Sequence, residues 1–189
     1  MTTRTARMGA LAVAVAVMLA AQPVRAADLA FAKIIGASQG VIEGDSVAKV
    51  APKSIQVLST GFGLSVPVAI GGTGSSAGKA VPGPVTIVKR FDPASPKLLK
   101  AAFLGEPLTV DISWFMSDTG KKTVSILLEG AFITQIDGGA QLAGTEASAF
   151  ESVSLNYSRI TFSAPILDAS GAVIGTNKVC FDVVLYKAC

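Results

Sequence analysis

Two cysteines, thirteen carboxylates and no histidine bound the chemistry open to this chain of 189 residues. Without an imidazole, the Ser-His and Cys-His nucleophile pairs, most zinc sites and the commonest general base are out of reach. The acids are scattered. No two stand at a helical spacing that would put both carboxylates on one face, although strands could still juxtapose them. Ser-Lys chemistry finds no S-x-x-K in a catalytic setting. Gly78-Lys79, within GGTGSSAGKA (Gly71 to Ala80), suggests a phosphate loop, but that pattern would need glycine at Thr73 and a hydroxyl at Ala80. The stretch reads instead as a flexible connection between two strands. These absences predict a non-enzymatic protein with no cofactor and no metal.

The two cysteines, Cys180 and Cys189, leave one covalent option. In a continuous strand nine residues span roughly 30 Å, far beyond the ~6 Å Cα separation of a disulfide. An intrachain bond therefore requires the tail to fold back after about Val184. The alternatives are a bond to a neighbouring chain, or a buried Cys180 beside a free terminal thiol.

The compartment follows from the N-terminus. Met1 to Arg7 carries Arg4 and Arg7 and no acid, and Met8 to Ala21 is an unbroken run of apolar residues and glycine. QPVRA then places Val24 and Ala26 at the −3 and −1 positions of a cleavage site. The pattern predicts a secretory signal peptide over 1–26, cleaved after Ala26, and a secreted or periplasmic product. Its apolar run is shorter than the ~20 residues of a membrane span, so no stable anchor is expected. With Arg4, Arg7 and Arg25 removed, thirteen bases face thirteen acids. A neutral mature chain gives no support for nucleic-acid binding. Residues 27–189 suit one domain with one core.

The elements that would carry these residues are mostly strands. In LTVDISWFMS, Leu108, Val110, Ile112, Trp114 and Met116 alternate with Thr109, Asp111, Ser113 and Ser117. SDTGKK turns into TVSILLEGAFITQI, where Val124, Ile126, Leu128, Phe132 and Ile136 are expected on one face, with Leu127, Ala131 and Ile133 apolar on the other. ESVSLNYSRITFSA, KVCFDVVLYK, LAFAKI, SIQVLSTGFGLS and VTIVKRF supply further strands. The count of about seven or more, with Gly-rich turns, predicts a mainly β, compact barrel or sandwich. One helix stands out. Ser95 reads as its N-cap, Pro96 as its first residue and Gly105 as its C-terminal stop. Leu98, Leu99, Ala102 and Phe103 form its expected buried face, and Lys97 and Lys100 its solvated one.

The stretch VTIVKRFDPASPKLLKAAFLGEPL resembles a run of the Hcp family, the tube proteins of bacterial type VI secretion. The family run F-x-K-x-x-D-x-x-S-P-x-L-x-x-A…G is matched by Val88-Lys89-Arg90-Phe91-Asp92, Ser95-Pro96, Leu98 and Gly105, with Phe91 and Lys89 slightly reordered. IIGASQGVIEGDS is similar to the family's opening strand and turn, and IQVLSTGFGLSVPVAIGGTGSSAGKA to its second strand and Gly-rich loop. GAFITQIDGG and ESVSLNYSRITFSA resemble the paired strands near its C-terminus. The resemblance covers Phe31 to Tyr186. It implies a compact β-barrel with one helix at its side, assembling into a homohexameric ring that stacks into a tube. The implied partners are further copies of the chain, with secretion spike, sheath and effector proteins, the effectors held in the ring lumen. Two departures stand against it. Thr60 or Phe62 takes the place of the usual tryptophan, and the leader is foreign to subunits that assemble in the cytoplasm. The second reading is therefore an exported Hcp-fold binding or interaction protein that is not built into a tube.

Overall fold

A computed structural model describes residues 29–71, 74–117, 119–143 and 146–189. The leader and its cleavage site lie outside them. The described chain begins with β1 (Leu29–Gly36), β2 (Gly40–Ile42), β3 (Ile55–Val57) and β4 (Ser59–Gly61). An excursion follows, made of β5 (Leu64–Ser65), β6 (Val68–Gly71), β7 (Gly74–Ala77) and β8 (Val81–Pro82). The chain returns in β9 (Val85–Arg90), helix α1 (Ser95–Leu104) and β10 (Leu108–Phe115). It finishes with β11 (Lys122–Ala143), β12 (Glu146–Asn156), β13 (Arg159–Leu167), β14 (Val173–Asp182) and β15 (Lys187–Ala188).

The pairings run in a circuit. β1 pairs β10 antiparallel, Leu29 opposite Phe115 and Gly36 opposite Leu108, and β10 pairs the near half of β11. The far half of β11 pairs β12, and β12 pairs β9. β9 pairs β4, which follows β3 after Leu58 alone, and β3 returns to β1. This is the mainly β, barrel-like architecture read from the alternation, with one short helix. Its ladder is not seamless: it breaks at Leu58 and bends at Gly130, so two sheets fold over one core. β13, β14 and β15 extend one sheet beyond the circuit.

Alternation fills the interior. Ala32 and Ile34 from β1, Val85 and Ile87 from β9, Val110 and Ile112 from β10, Ile126 and Leu128 from β11, and Val153 and Leu155 from β12 are wholly enclosed. Each large aliphatic side chain among them contributes about 1.5–3 kcal/mol by leaving water.

β11 departs from the expected face. Ile126 and Leu128 point inward, but Ala131 is the next buried residue and Phe132 is 41% exposed. Gly130, at φ 56°, causes the change of phase. Leu108 stands opposite Ala131 while Val110 stands opposite Leu128, so β11 carries one extra residue there. A bulge with a left-handed glycine moves the next side chains by one position. A second irregularity between Ile133 and Gln135 restores the phase, so Ile136 packs against the core as expected. Ser158 seals the corner, donating its backbone N–H to the Glu129 carbonyl at 3.1 Å and its hydroxyl to the Gly130 carbonyl at 3.3 Å.

The helix also differs in detail. Its cap position is Ala94, with no side-chain cap, and Ser95 is the first helical residue, its hydroxyl drawn into the interior. The buried stripe is Ser95, Leu98 and Ala101, while Leu99 and Phe103 are exposed, Phe103 at 82%. Leu98 alone of the large residues on the expected face is enclosed. The helix lies against β11 by a narrow seam, which three-residue spacing satisfies. Gly105, at φ 58° and ψ 41°, ends it, with the Glu106 N–H donating back to the Ala101 carbonyl at 2.9 Å. The Gly-rich stretch read as a plain loop contains a small ladder instead, β6 on β7. Its residues 72–73 lie outside the described ones.

Candidate functional site

The family-like stretch converges on one buried charge. β9 alternates inward at Val85, Ile87 and Lys89, so the lysine occupies the position of a third core aliphatic. β12 does the same with Glu151, Val153 and Leu155, and the register sets Lys89 directly opposite Glu151. The Lys89 ammonium is fully enclosed and reaches Glu151 Oε1 at 2.5 Å, Asp92 Oδ1 at 2.7 Å, Ser95 Oγ at 3.0 Å and the Arg90 carbonyl at 2.8 Å. Ser95 accepts the Asp92 N–H at 3.1 Å and donates to Glu151 Oε1 at 2.5 Å. Asp92 Oδ1 also accepts the Ala94 N–H at 2.8 Å, fixing the turn into the helix. Phe91 is half exposed, yet its ring lies so close to Gly138 that a Cβ there would stand 2.8 Å from it. Pro96 opens the helix and Leu98 anchors it.

Lys89, Asp92, Ser95 and Glu151 therefore join the end of one strand, a turn, a helix start and a second strand. Sequence reasoning singled out Phe91, Asp92, Ser95, Pro96, Leu98 and Gly105 but not the Lys89–Glu151 pair. The signal was present: each charge ends a core-facing series of alternating apolar residues. With its donors occupied and no exposure, the Lys89 amine has no route to a substrate. The cluster is a lock for the fold.

A second carboxylate ties the other end of the helix. Glu106 Oε1 accepts the backbone N–H of Ser38 at 2.6 Å and of Gln39 at 2.7 Å, and Oε2 accepts Gln39 Nε2 at 2.7 Å. The Gln39 N–H first, with the Ser38 N–H behind it, holds this carboxyl below the usual glutamate range against the opposing effect of burial.

Cys180 and Cys189 are joined, their Cα atoms 5.3 Å apart. The tail reverses through residues 183–186, and β15 pairs Ala188 with Phe181 and Lys187 with Asp182. Asp182 Oδ1 accepts the Leu185 N–H at 2.7 Å, the largest influence holding this carboxyl below its ordinary range. Beside the hairpin lies a cleft of about 430 Å³ between the β5–β8 excursion and β13–β14, lined by Phe62, Leu64, Pro82, Phe162, Val179 and Phe181.

Among the described residues no group of three or more Cys, Asp and Glu side chains could hold a metal, and no helix is long and apolar enough to cross a membrane. Two S-x-x-K spacings do occur, Ser46 to Lys49 and Ser76 to Lys79. Ser46 Oγ accepts the Ala48 N–H within its own turn, and Lys79 lies against the Tyr186 ring.

Residues 29–163 match a family profile described as "Type VI secretion system effector, Hcp". The chain is 31% identical over 159 residues to the "Major exported protein" of Pseudomonas aeruginosa, covering 76% of this chain and 92% of that one. In fold it is similar to a solved type six secretion system protein, with a TM-score of 0.73 at 18% identity over 84% of this chain and 99% of the other. An Hcp protein from Salmonella typhimurium gives a TM-score of 0.69 at 20% identity, over 86% and 99% of the two chains. The matched profile ends within β13, before either cysteine.

Proposed function

The chain belongs to the Hcp family of type VI secretion proteins, and from that premise we propose that it is a structural subunit that self-associates into rings and stacks into the secretion tube. The profile match from β1 into β13 carries this reading. The surface supports it: Leu99, Phe103 and Leu104 on the helix, and Phe62, Leu64, Val68, Ile70 and Val81 on the excursion, are exposed apolar side chains. Such surface is what a subunit interface covers. We assign the ring six members, its lumen the role of holding effectors, and spike and sheath proteins the role of further partners. We take the work to be non-enzymatic, because the family's task is assembly. Light scattering at micromolar concentration, followed by electron microscopy of the peak, tests this. Six-fold rings are expected, and a clean monomer at high concentration overturns it.

A second reading is favoured by the terminal disulfide together with the leader pattern. Disulfides persist in oxidising compartments. We propose that the mature domain spans 27–189 after export through the 1–26 leader, with the Hcp fold serving as an exported interaction protein. Cell fractionation with N-terminal sequencing separates the readings. Recovery in the periplasm starting at Ala27 supports export, whereas cytoplasmic protein that retains Met1 sinks it.

A further inference from the structure

We propose that the Cys180–Cys189 bond is a redox-operated clasp on the β5–β8 excursion, acting through Tyr186. The bond closes the tail turn, and Tyr186 sits on that turn, 106 positions along the chain from its contact. The Tyr186 hydroxyl accepts the backbone N–H of Ala80, just before β8. The Lys79 ammonium lies 4.9 Å from the centre of the Tyr186 ring, and Phe181 packs edge-on against it at 5.3 Å. Tyr186 thus ties the returning arm at Ala80 to the edge of the sheet. Beside it, the Tyr157 hydroxyl donates to the Gly83 carbonyl at 3.3 Å, and the Phe62 and Phe162 rings meet at 6.0 Å.

Two features show that the bond holds this arrangement. Tyr186 stands at φ 53°, a left-handed conformation that a bulky side chain avoids unless its surroundings impose it. The β14–β15 ladder has only two pairs, with the Cys189 N–H on the Cys180 carbonyl at 3.2 Å beside them, so few hydrogen bonds hold the turn besides the covalent tie. Without the covalent tie, the two β14–β15 pairs, the Cys189–Cys180 backbone hydrogen bond, the Asp182–Leu185 contact and the Phe181 ring are what oppose relaxation of the tyrosine from its strained position. Cys189 is an exposed residue and Cys180 a half-buried one, so the reductant is assigned to the Cys189 side of the bond. A dithiol reductant supplies the electrons. Its thiolate bonds to Cys189 Sγ, the bond to Cys180 breaks, and Cys180 leaves as a thiolate that takes up a proton. The second reductant thiol then displaces Cys189 as a thiol and closes the reductant's own disulfide. Oxidised, the excursion is pinned against β13–β14. Reduced, the returning arm around Ala80 loosens while the Phe62–Phe162 and Tyr157–Gly83 contacts stay, and the apolar cleft between the excursion and β13–β14 widens at that end.

The inference goes beyond the assembly reading and stands whether or not the chain forms a tube. Hydrogen exchange of the purified chain, oxidised and after dithiothreitol, tests it. Reduction should speed exchange at Ala80 and its neighbours in the excursion roughly tenfold, the worth of one lost hydrogen bond with its ring contacts, while β1 and β10 stay protected. Cys189→Ser should match the reduced chain without any reductant. In Tyr186→Ala the oxidised chain should already exchange at the fast rate, and reduction should add little. The proposal is overturned if reduction leaves the excursion unchanged, if Tyr186→Ala still responds fully to reduction, or if β1 and β10 loosen equally.

Discussion

Lys89 shows what a buried charge does when every partner is in place. Its pairing with Glu151 and Asp92 is shielded from water, whereas the Lys122–Asp111 pair, at 3.6 Å, lies on the surface with each side chain more than two-fifths exposed. The two should respond very differently. Lys89→Met leaves two carboxylates and a serine hydroxyl facing an apolar tip, and should lower stability by about 3–5 kcal/mol. Lys122→Met should cost about 0–1 kcal/mol. Urea unfolding of both variants checks this, and similar midpoints would place the Lys89 amine in contact with water. Glu106 adds a pH dependence of defined sign. Its backbone donors hold the folded-state pKa below the unfolded value, so its contribution is complete above the ordinary glutamate pKa of about 4.3 and is lost as pH falls through the lower folded value. Asp168 and Asp182 are lowered too, the first chiefly by the Ser170 hydroxyl and the second by the Leu185 N–H, and they act in the same direction. Urea midpoints measured from about pH 6 down to about pH 3 should fall for the parent chain and fall less steeply for Glu106→Gln. An identical slope would detach Glu106 from acid unfolding.

Between residues and the whole stands β11, the strand that changes partners along its length. Gly130 allows β11 to leave β10 and continue against β12, and it does so with a backbone that other residues resist. A Cβ there would also stand 2.9 Å from Ser158 Oγ. Gly130→Ala should therefore cost about 1–3 kcal/mol, combining left-handed strain with displacement of the serine. Gly139→Ala, on the same strand with open space around it, should cost little. Equal effects on thermal unfolding would remove the corner from its place in the architecture. This bend also marks where sequence reading stops. β10 was legible because strict alternation from Leu108 to Ile112 survives in the structure, with the partly buried Trp114 continuing it. The start of β11 was legible for the same reason. Just beyond Gly130 the phase depends on whether a glycine is left-handed, which composition does not reveal. Phe132, expected inside, therefore stands outside, while Ile136 beyond the second irregularity packs inside as expected. Ser95 was misread similarly. An N-cap hydroxyl and a hydroxyl buried against Glu151 look alike until the distant strand is placed beside it.

At the scale of the molecule, balanced charge and exposed apolar side chains specify what kind of association to expect. In the proposed mature domain, residues 27–189 carry as many acids as bases, so such subunits would meet without net repulsion and without a net long-range attraction for salt to screen. Contact between faces such as that of Phe103 draws its free energy from water released by apolar surface. The mass of the assembly should therefore stay nearly constant from about 0.05 to about 0.5 M salt. It should weaken on cooling, because the apolar contribution fades at low temperature. Two variants of α1 separate assembly from folding. Leu98→Asp buries an unpaired charge in the core and should cost the fold several kcal/mol. Phe103→Asp changes a side chain that the single subunit leaves in water, so unfolding of the subunit should barely move while light scattering reports a smaller species. If Phe103→Asp assembles as the parent chain does, the outer face of the helix lies away from every subunit contact. The apolar excursion around Phe62 and Ile70 then becomes the surface through which the copies meet.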